Sequence, residues 1–131
     1  MKSHKDGTLP PFGEKFILVF GSNLSGRHGK GAAKEALRYG AQYGIASGLQ
    51  GSSYAIPTKD GELHTLPVAV IAKFVKEFID FTRQSPKKNF WITRVGAGLA
   101  GYSDEDIAPM FKGIGDNCSV SEQWYNILEN L

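Results

Sequence analysis

The chain has 131 residues, of which 41% are hydrophobic and 21% are charged. This length and composition are typical of one globular domain, and they exclude a disordered chain or two domains of ordinary size. The net charge of +2 is too small to indicate a nucleic-acid polymer as the main partner.

The N-terminal segment is polar and contains Pro10-Pro11, which favours an extended, loosely held chain. We predict a flexible lead-in over residues 1–13 and a single domain over residues 14–131. The lead-in lacks the apolar centre of a secretory signal, and no stretch of the chain is long and apolar enough to span a bilayer. Cys118 is the only cysteine and has no partner for an internal disulfide. Together these features predict a cytoplasmic protein that does not enter membranes.

The first predicted unit is a strand, a glycine-rich turn and a helix. The continuous apolar run over residues 16–20 is typical of a strand that is buried on both faces. The turn covers residues 21–31, and the helix formers of residues 32–39 predict the helix. A short strand is predicted over residues 52–56, and Pro57 is expected to end it.

The second unit begins with a long amphipathic helix, predicted from Pro67 to Ser85. Its apolar residues follow helical spacing and are Val68, Ile71, Ala72, Val75, Phe78 and Ile79. Residues 89–95 predict a third strand, which runs into a second glycine-rich turn over residues 96–102.

The C-terminal part begins with a predicted helix that Ser103 caps, with Asp106 completing a capping box. Residues 117–131 are compatible with a strand, a helix or both. The alternation of strands and helices predicts an α/β fold, a single-domain three-layer sandwich with a mainly parallel or mixed sheet.

Both glycine-rich turns follow the carboxyl ends of predicted strands, where α/β sheets bind their ligands. Glycine lets main-chain N–H groups approach a ligand closely, and a helix start adds unpaired N–H groups and a partial positive charge. Two such turns in one small domain indicate a ligand with more than one phosphate, as in a nucleotide.

Neither of the two most familiar nucleotide-binding motifs is present in these turns. Lys30 is followed by Gly31, so the hydroxyl that binds magnesium in a P-loop is missing. Pro57-Thr58 stands where a dinucleotide-binding fold carries the acidic residue for a ribose. No cysteine–histidine metal pattern occurs, and we predict neither a metal nor a cofactor.

Polar side chains near the first turn supply candidate binding and catalytic groups. Arg27 can pair with a phosphate in forked geometry, and His28 is a candidate general acid or base, because histidine is the residue type most often used for proton transfer. Asn23 and Ser22 follow the first strand directly, and Thr58 follows the second. A structural role stays open for each, because asparagine is a common turn former and no carboxylate lies near His28 in sequence.

Four segments of the chain resemble, in the same order, segments of the macrodomain, an ADP-ribose-binding module. They are a strand ending in asparagine, a glycine-rich loop opening a helix, a short strand ending in Pro-Thr, and a second phosphate loop with its helix, at residues 19–23, 29–33, 54–58 and 93–102. The resemblance implies a macrodomain-like fold that binds ADP-ribose or a related nucleotide. It also implies metal-independent hydrolysis at the distal ribose or its phosphate as a further activity.

The same resemblance implies roles for individual residues. Asn23 would bond the terminal ribose, and Tyr102 would close over a ribose. The two loops would border the ribose and wrap the diphosphate; the ligand-binding residues implied in this way are Gly21, Ser22, Asn23, Gly29, Lys30, Gly31, Thr58, Gly96, Gly98, Leu99, Ala100, Gly101 and Tyr102. In hydrolysis Asn23 would position the substrate, and Arg27 or His28 would stabilise charge or move a proton.

The resemblance is incomplete at the base end of the expected ligand. Macrodomains carry an acidic residue just after their first strands, which holds the adenine amino group. Glu14 precedes the first predicted strand, and no counterpart is identified before Gly21.

Two other interpretations stay open: a module that binds a nucleotide without turnover, and an interaction protein whose glycine turns only permit tight packing. The expected partner is a small nucleotide rather than a membrane or a nucleic acid, and the sequence leaves the oligomeric state undetermined.

Overall fold

The computed structural model describes residues 1–11, 13–97 and 100–131, and these contain one six-stranded sheet. In chain order the strands are β1 Lys2–His4, β2 Ile17–Asn23, β3 Gly48–Gln50, β4 Ser53–Lys59, β5 Phe90–Ile92 and β6 Cys118–Ser121. Their spatial order is β1-β6-β5-β2-β4-β3. Neighbouring strands pair in parallel except β3, which runs antiparallel to β4 at one edge.

The side chains of the central strand β2 enter two separate apolar cores, because consecutive strand residues point to opposite faces. Ile17 and Val19 belong to the larger core, whereas Leu18 and Phe20 belong to the smaller one. All four are buried. The apolar run therefore forms a strand covered on both faces, as the sequence predicts.

Helices cover the two faces of the sheet and complete three layers. They are α1 Gly31–Ala36, continued by a 3-10 turn over Leu37–Tyr39; α2 Val68–Gln84; α3 Asp104–Ile107, continued by a 3-10 turn over Ala108–Phe111; and α4 Glu122–Glu129. Helix α1 packs on the smaller core, and α2, α3 and α4 pack on the larger one. The predicted α/β sandwich with a mixed sheet is confirmed.

The N-terminal segment differs from the flexible lead-in that the sequence predicts, because it contributes the edge strand β1. Lys2, Ser3 and His4 pair with Ser119, Val120 and Ser121 of β6. Further along, the Trp91 indole Nε1 donates to the Thr8 carbonyl oxygen at 3.0 Å. Three polar residues show no apolar alternation, so pairing with a distant strand determines this element rather than local pattern.

Strand β4 continues through Pro57 to Lys59, although the sequence predicts that the proline ends it. The antiparallel partner β3 reaches only to Gly48, opposite Ala55, and the register with β2 shifts just beyond Pro57. Proline is tolerated at such a position, because the missing N–H has no partner strand to lose on that side.

The other predicted elements are present, although two strands differ in length. Strand β5 covers only Phe90–Ile92 of the predicted 89–95, and β2 continues to Asn23. Helix α2 begins after Pro67 and ends before Ser85, and Ser103 and Asp106 form the predicted capping box. The C-terminal region holds both a strand and a helix. Among the helices that the structure describes, none combines the length and the apolar character needed to cross a membrane.

Replacing Phe78 by alanine tests the core beneath α2. Its fully buried ring contacts Tyr54, Phe90 and Phe111 with ring-centroid separations of 5.0, 5.5 and 6.1 Å. Phe78→Ala should lower the free energy of unfolding by about 3–5 kcal/mol, measured by urea denaturation, because it leaves a cavity. The control Val68→Ala, at an exposed site of the same helix, should cost less than about 0.5 kcal/mol. Equal costs would contradict this packing of α2.

Candidate functional site

A cavity of about 720 Å³ lies at the edge of the sheet where the parallel strands end. Gly21 at the end of β2, Thr58 in β4 and Gly96 after β5 all line it. A Cβ atom added to Gly21 would lie 3.3 Å from Thr58 Oγ1 and 3.7 Å from the Gly96 nitrogen. The two glycine-rich turns are therefore direct neighbours, because the strands they follow are adjacent in the sheet.

Most of the residues predicted from sequence lie on the wall of this cavity. They are Gly21, Ser22, Asn23, Arg27, Gly29, Lys30, Gly31, Thr58, Gly96 and Ala100. The predicted residues Gly98 and Leu99 lie outside the described residues. Gly101 and Tyr102 do not line the cavity; the Tyr102 hydroxyl donates to the Leu66 carbonyl oxygen at 2.8 Å, and the ring packs against the larger core.

His28 does not reach the cavity, although the sequence predicts it as a general acid or base. The side chain is fully buried, and its Nε2 hydrogen-bonds with the Gln42 carbonyl oxygen at 2.8 Å. The ring packs against Phe20 and Tyr43. The Gly44 N–H donates to the Gly26 carbonyl oxygen, which ties the loop before His28 to the loop that carries Tyr43. This packing turns the imidazole into the protein and away from the site.

Asn23 uses most of its side-chain hydrogen bonds within its own loop. The Oδ1 atom accepts from the Ser25 hydroxyl at 2.7 Å and from the Arg27 N–H at 3.0 Å. The Nδ2 atom donates to the Arg27 carbonyl oxygen at 2.6 Å. The turn-forming role that the sequence left open is therefore present, and one amide hydrogen remains that has no partner among the described residues.

Ser22 and Thr58 also bind main-chain groups of the site. The Ser22 hydroxyl donates to the Ala46 carbonyl oxygen, and the Thr58 hydroxyl donates to the Ser22 carbonyl oxygen at 3.3 Å. Both side chains are buried. Their hydrogen bonds hold the end of β2 against β4 and the loop before β3, and thereby shape the cavity floor.

Three cationic side chains line the cavity on the side where β2 and β4 end. Arg27 and Lys30 belong to the loop after β2 and are exposed, while Lys59 ends β4 and is half-buried. Within residues 1–11, 13–97 and 100–131 none of the three forms an ion pair. This side of the cavity consequently attracts anions.

Four charged residues of the cavity wall are missing from the sequence-based site: Asp6, Glu35, Lys59 and Arg94. Asp6 follows β1, and Arg94 follows β5. The Arg94 Nε and Nη2 atoms donate to the two carboxylate oxygens of Asp104 at 2.8 and 2.6 Å. Its Nη1 atom donates to Asp6 Oδ2 at 3.1 Å. Recognising β1 would have identified Asp6, since it would then follow a strand as the other site residues do.

The Arg94–Asp104 pair is ionised at neutral pH. The Arg94 guanidinium lowers the pKa of Asp104, helped by the hydrogen bond from Trp124 Nε1, and the Asp104 carboxylate raises the pKa of Arg94. His4 behaves in the opposite way, because burial against Trp91 lowers its pKa to about 4. His4 is therefore neutral at pH 7 and adds no charge to the cavity. In the described part of the chain, no group of three or more His, Cys, Asp or Glu side chains is placed to hold a metal.

Comparison with solved structures identifies the fold. Thermosipho africanus DarTG in complex with ADP-ribose matches with a TM-score of 0.57 and 13% identity, over 82% of this chain and 38% of that one. The fold is macrodomain-like. A protein of unknown function from Bacteroides thetaiotaomicron shares this macrodomain-like fold, with a TM-score of 0.56 and 19% identity over 85% of this chain and 90% of that one. Neither a family model nor a curated protein sequence matches the chain.

The Arg94–Asp104 pair makes the stability of this macrodomain-like fold depend on pH. Asp104→Asn should destabilise the protein at pH 7 by about 2 kcal/mol, less than for a fully buried pair because Arg94 is partly solvated. Because folding lowers the pKa of Asp104, its stabilisation is present above the unfolded pKa of about 3.9 and is lost as pH falls through the folded value. The difference between wild type and variant in urea denaturation should therefore shrink below about pH 4.

The matched control for this experiment is Asp80→Asn, an exposed carboxylate on α2. It should change the free energy of unfolding by less than about 0.5 kcal/mol at either pH. A difference between Asp104→Asn and wild type that stays constant on acidification would show that the carboxylate charge does not contribute to stability.

Proposed function

We propose that the protein binds ADP-ribose, or a nucleotide diphosphate of the same kind, in the cavity at the strand ends. The observation that carries the proposal is the meeting of two glycine-rich turns, Gly21 and Gly96 side by side, at the floor of one cavity. A solved structure with the same fold is a complex with ADP-ribose, which supports this choice of ligand.

The diphosphate would lie over the glycine floor near the cationic side. Gly21 leaves no side chain between the cavity and Thr58, and Gly96 has a φ of +78° that favours glycine. Arg27, Lys30 and Lys59 would neutralise the phosphate charge, since they have no carboxylate partner among the described residues. The distal ribose would then lie beside Asn23, whose remaining amide hydrogen can bond a hydroxyl.

The base would lie beside Asp6, on the side of the cavity where β1 ends. A carboxylate accepts hydrogen bonds, so it is suited to the exocyclic amino group of adenine. Asp6 follows β1 in the chain, the position at which the macrodomain resemblance implies such a residue. One of its oxygens, Oδ2, bonds Arg94, and Oδ1 has no hydrogen-bond partner among the described residues. That free oxygen is the group we assign to the ligand.

The proposed activity is binding without turnover. His28 is buried away from the cavity, and His4, which does line it, has a pKa of about 4 and is a weak base at neutral pH. Arg27 and Asn23 can hold a substrate, but neither is an effective proton acceptor at that pH. Hydrolysis at the distal ribose is accordingly the alternative that the experiment has to exclude.

Thermal unfolding with ADP-ribose tests the proposal. A ligand at about 100 times its dissociation constant stabilises the folded state by about 2.7 kcal/mol, which should raise Tm by about 5 °C or more. Chromatography of the ligand after overnight incubation should return it intact. Recovery of ADP or free ribose would establish the hydrolase instead, and no shift with ADP-ribose, its 1″-phosphate or ADP would contradict nucleotide binding.

The cationic side of the cavity gives a further prediction. Lys30→Ala should weaken ADP-ribose binding about fivefold, equivalent to about 1 kcal/mol, because it removes an exposed charge beside the diphosphate. Titration calorimetry should show this loss decreasing at high salt. The control Lys76→Ala removes an exposed charge from α2, away from the cavity, and should leave the affinity unchanged. Equal affinities of the two variants would place the phosphates elsewhere.

A further inference from the structure

Four side chains connect the core of the protein to the cavity wall. Trp124 on α4 is fully buried, and its Nε1 donates to Asp104 Oδ1 at 2.6 Å. Asp104 binds Arg94 through both carboxylate oxygens, and Arg94 binds Asp6. Asp104 and Trp124 do not line the cavity, whereas Arg94 and Asp6 do. The series of hydrogen bonds therefore ends at Asp6, the residue that we propose binds the adenine base.

Arg94 has its orientation determined before any ligand binds. A planar guanidinium that donates two hydrogen bonds to one carboxylate is held in a defined plane. Its partner Asp104 is only 6% exposed, and the Ser103 capping box holds the start of α3 in place. The third donor, Nη1, is thus presented to Asp6 from a rigid support.

Arg94 is not a free cation for a phosphate, because two carboxylates already balance its charge. The side chains of Asp104 and Asp6 lie 2.6 and 3.1 Å from its nitrogens. Arg27 and Lys30, which have no carboxylate partner among the described residues, follow a different strand. The role that remains for Arg94 at the cavity is to act on Asp6.

Asp6 lies on a loop that few hydrogen bonds hold in place among the described residues. The Thr8 N–H donates to the Lys5 carbonyl oxygen, and the Thr8 carbonyl oxygen accepts from Trp91. Among the hydrogen bonds of the described residues, the Asp6 side chain has only the one from Arg94. Without this bond the carboxylate would rotate freely. Ligand binding would then be weakened by the conformational entropy lost when the carboxylate becomes ordered.

We propose that Arg94 is a positioning residue, which holds Asp6 so that the cavity prefers a base with an exocyclic amino group. The inference rests on the proposed function and specifies its base end. Arg94 occupies Oδ2 and leaves Oδ1 as the acceptor. A base with a carbonyl oxygen in place of the amino group would face that carboxylate with two acceptors opposed, and its binding is penalised.

The test compares ADP-ribose with its hypoxanthine counterpart, inosine diphosphate ribose, by titration calorimetry. Wild type should bind ADP-ribose at least about tenfold more tightly, the expected effect of one hydrogen bond to a charged group. Arg94→Gln should reduce this ratio to about two or less. Asp6→Asn should reverse it, since Arg94 can donate only to the amide oxygen, and the Nδ2 group, a donor, then faces the base. Adding Arg94→Gln to Asp6→Asn should return the ratio to about one, because the amide is then free to turn and to donate or accept.

Two further variants keep the result interpretable. Arg94→Lys retains a cation beside Asp104 but cannot form the fork, so it should also lose the ratio and serves if Arg94→Gln does not fold. Arg83→Gln removes an exposed arginine that bonds the Gly113 carbonyl oxygen away from the cavity, and it should keep the wild-type ratio.

The outcomes separate the two proposals. If wild type binds neither nucleotide, the proposed function is wrong. If wild type binds ADP-ribose but Arg94→Gln and Arg94→Lys weaken both nucleotides equally, the positioning role is overturned while the proposed function stands. A preference for ADP-ribose that Asp6→Asn retains would show that Arg94 acts on the base by a route other than Asp6, and would overturn the inference as well.

Discussion

The parallel pairing of β2 with β4 and β5 is the constraint on which the rest of the structure depends. It aligns Val19 with Tyr54 on one side and with Ile92 on the other, so the three strands end at the same edge of the sheet. The two glycine-rich turns then meet, and Gly21 approaches Thr58 and the Gly96 nitrogen too closely for a large side chain. The cavity follows from this alignment, because none of the described strands continues past that edge to fill it.

The same sheet also couples the site to the core. Arg94 follows β5 and lines the cavity, and its partner Asp104 accepts a hydrogen bond from Trp124. Trp124 lies on α4 and packs against Phe111 in the 3-10 turn after α3. Charge is thus distributed unevenly around the cavity. Arg94 is neutralised by two carboxylates, whereas Arg27 and Lys30, which follow β2, have no carboxylate partner among the described residues. We expect this asymmetry to favour one orientation of the proposed nucleotide.

Local sequence patterns predicted the strands and helices whose apolar residues mark the buried positions, such as β2 and α2. The apolar run at β2 and the amphipathic repeat of α2 agree with the structure. A strand covered on both faces is apolar throughout, and a helix covered on one face is apolar at every third or fourth residue. Strands β1 and β3 have only three residues each and carry no such period. Their pairing depends on partners distant in sequence, and Asp6 was missed as a site residue for the same reason. His28 was placed at the site by its position in a turn, but the packing of that loop against Tyr43 buries its ring.

The sequence by itself determined the α/β sandwich and the two glycine-rich turns, because apolar period and glycine spacing are local properties of the chain. Only the tertiary structure decided which polar groups reach the cavity. Contacts such as Arg94 with Asp6, 88 residues apart, depend on strand order, and strand order leaves no mark within a single segment of sequence. The described strands had to be assembled into one sheet before Asp6 could be recognised as part of the site and His28 as part of the interior.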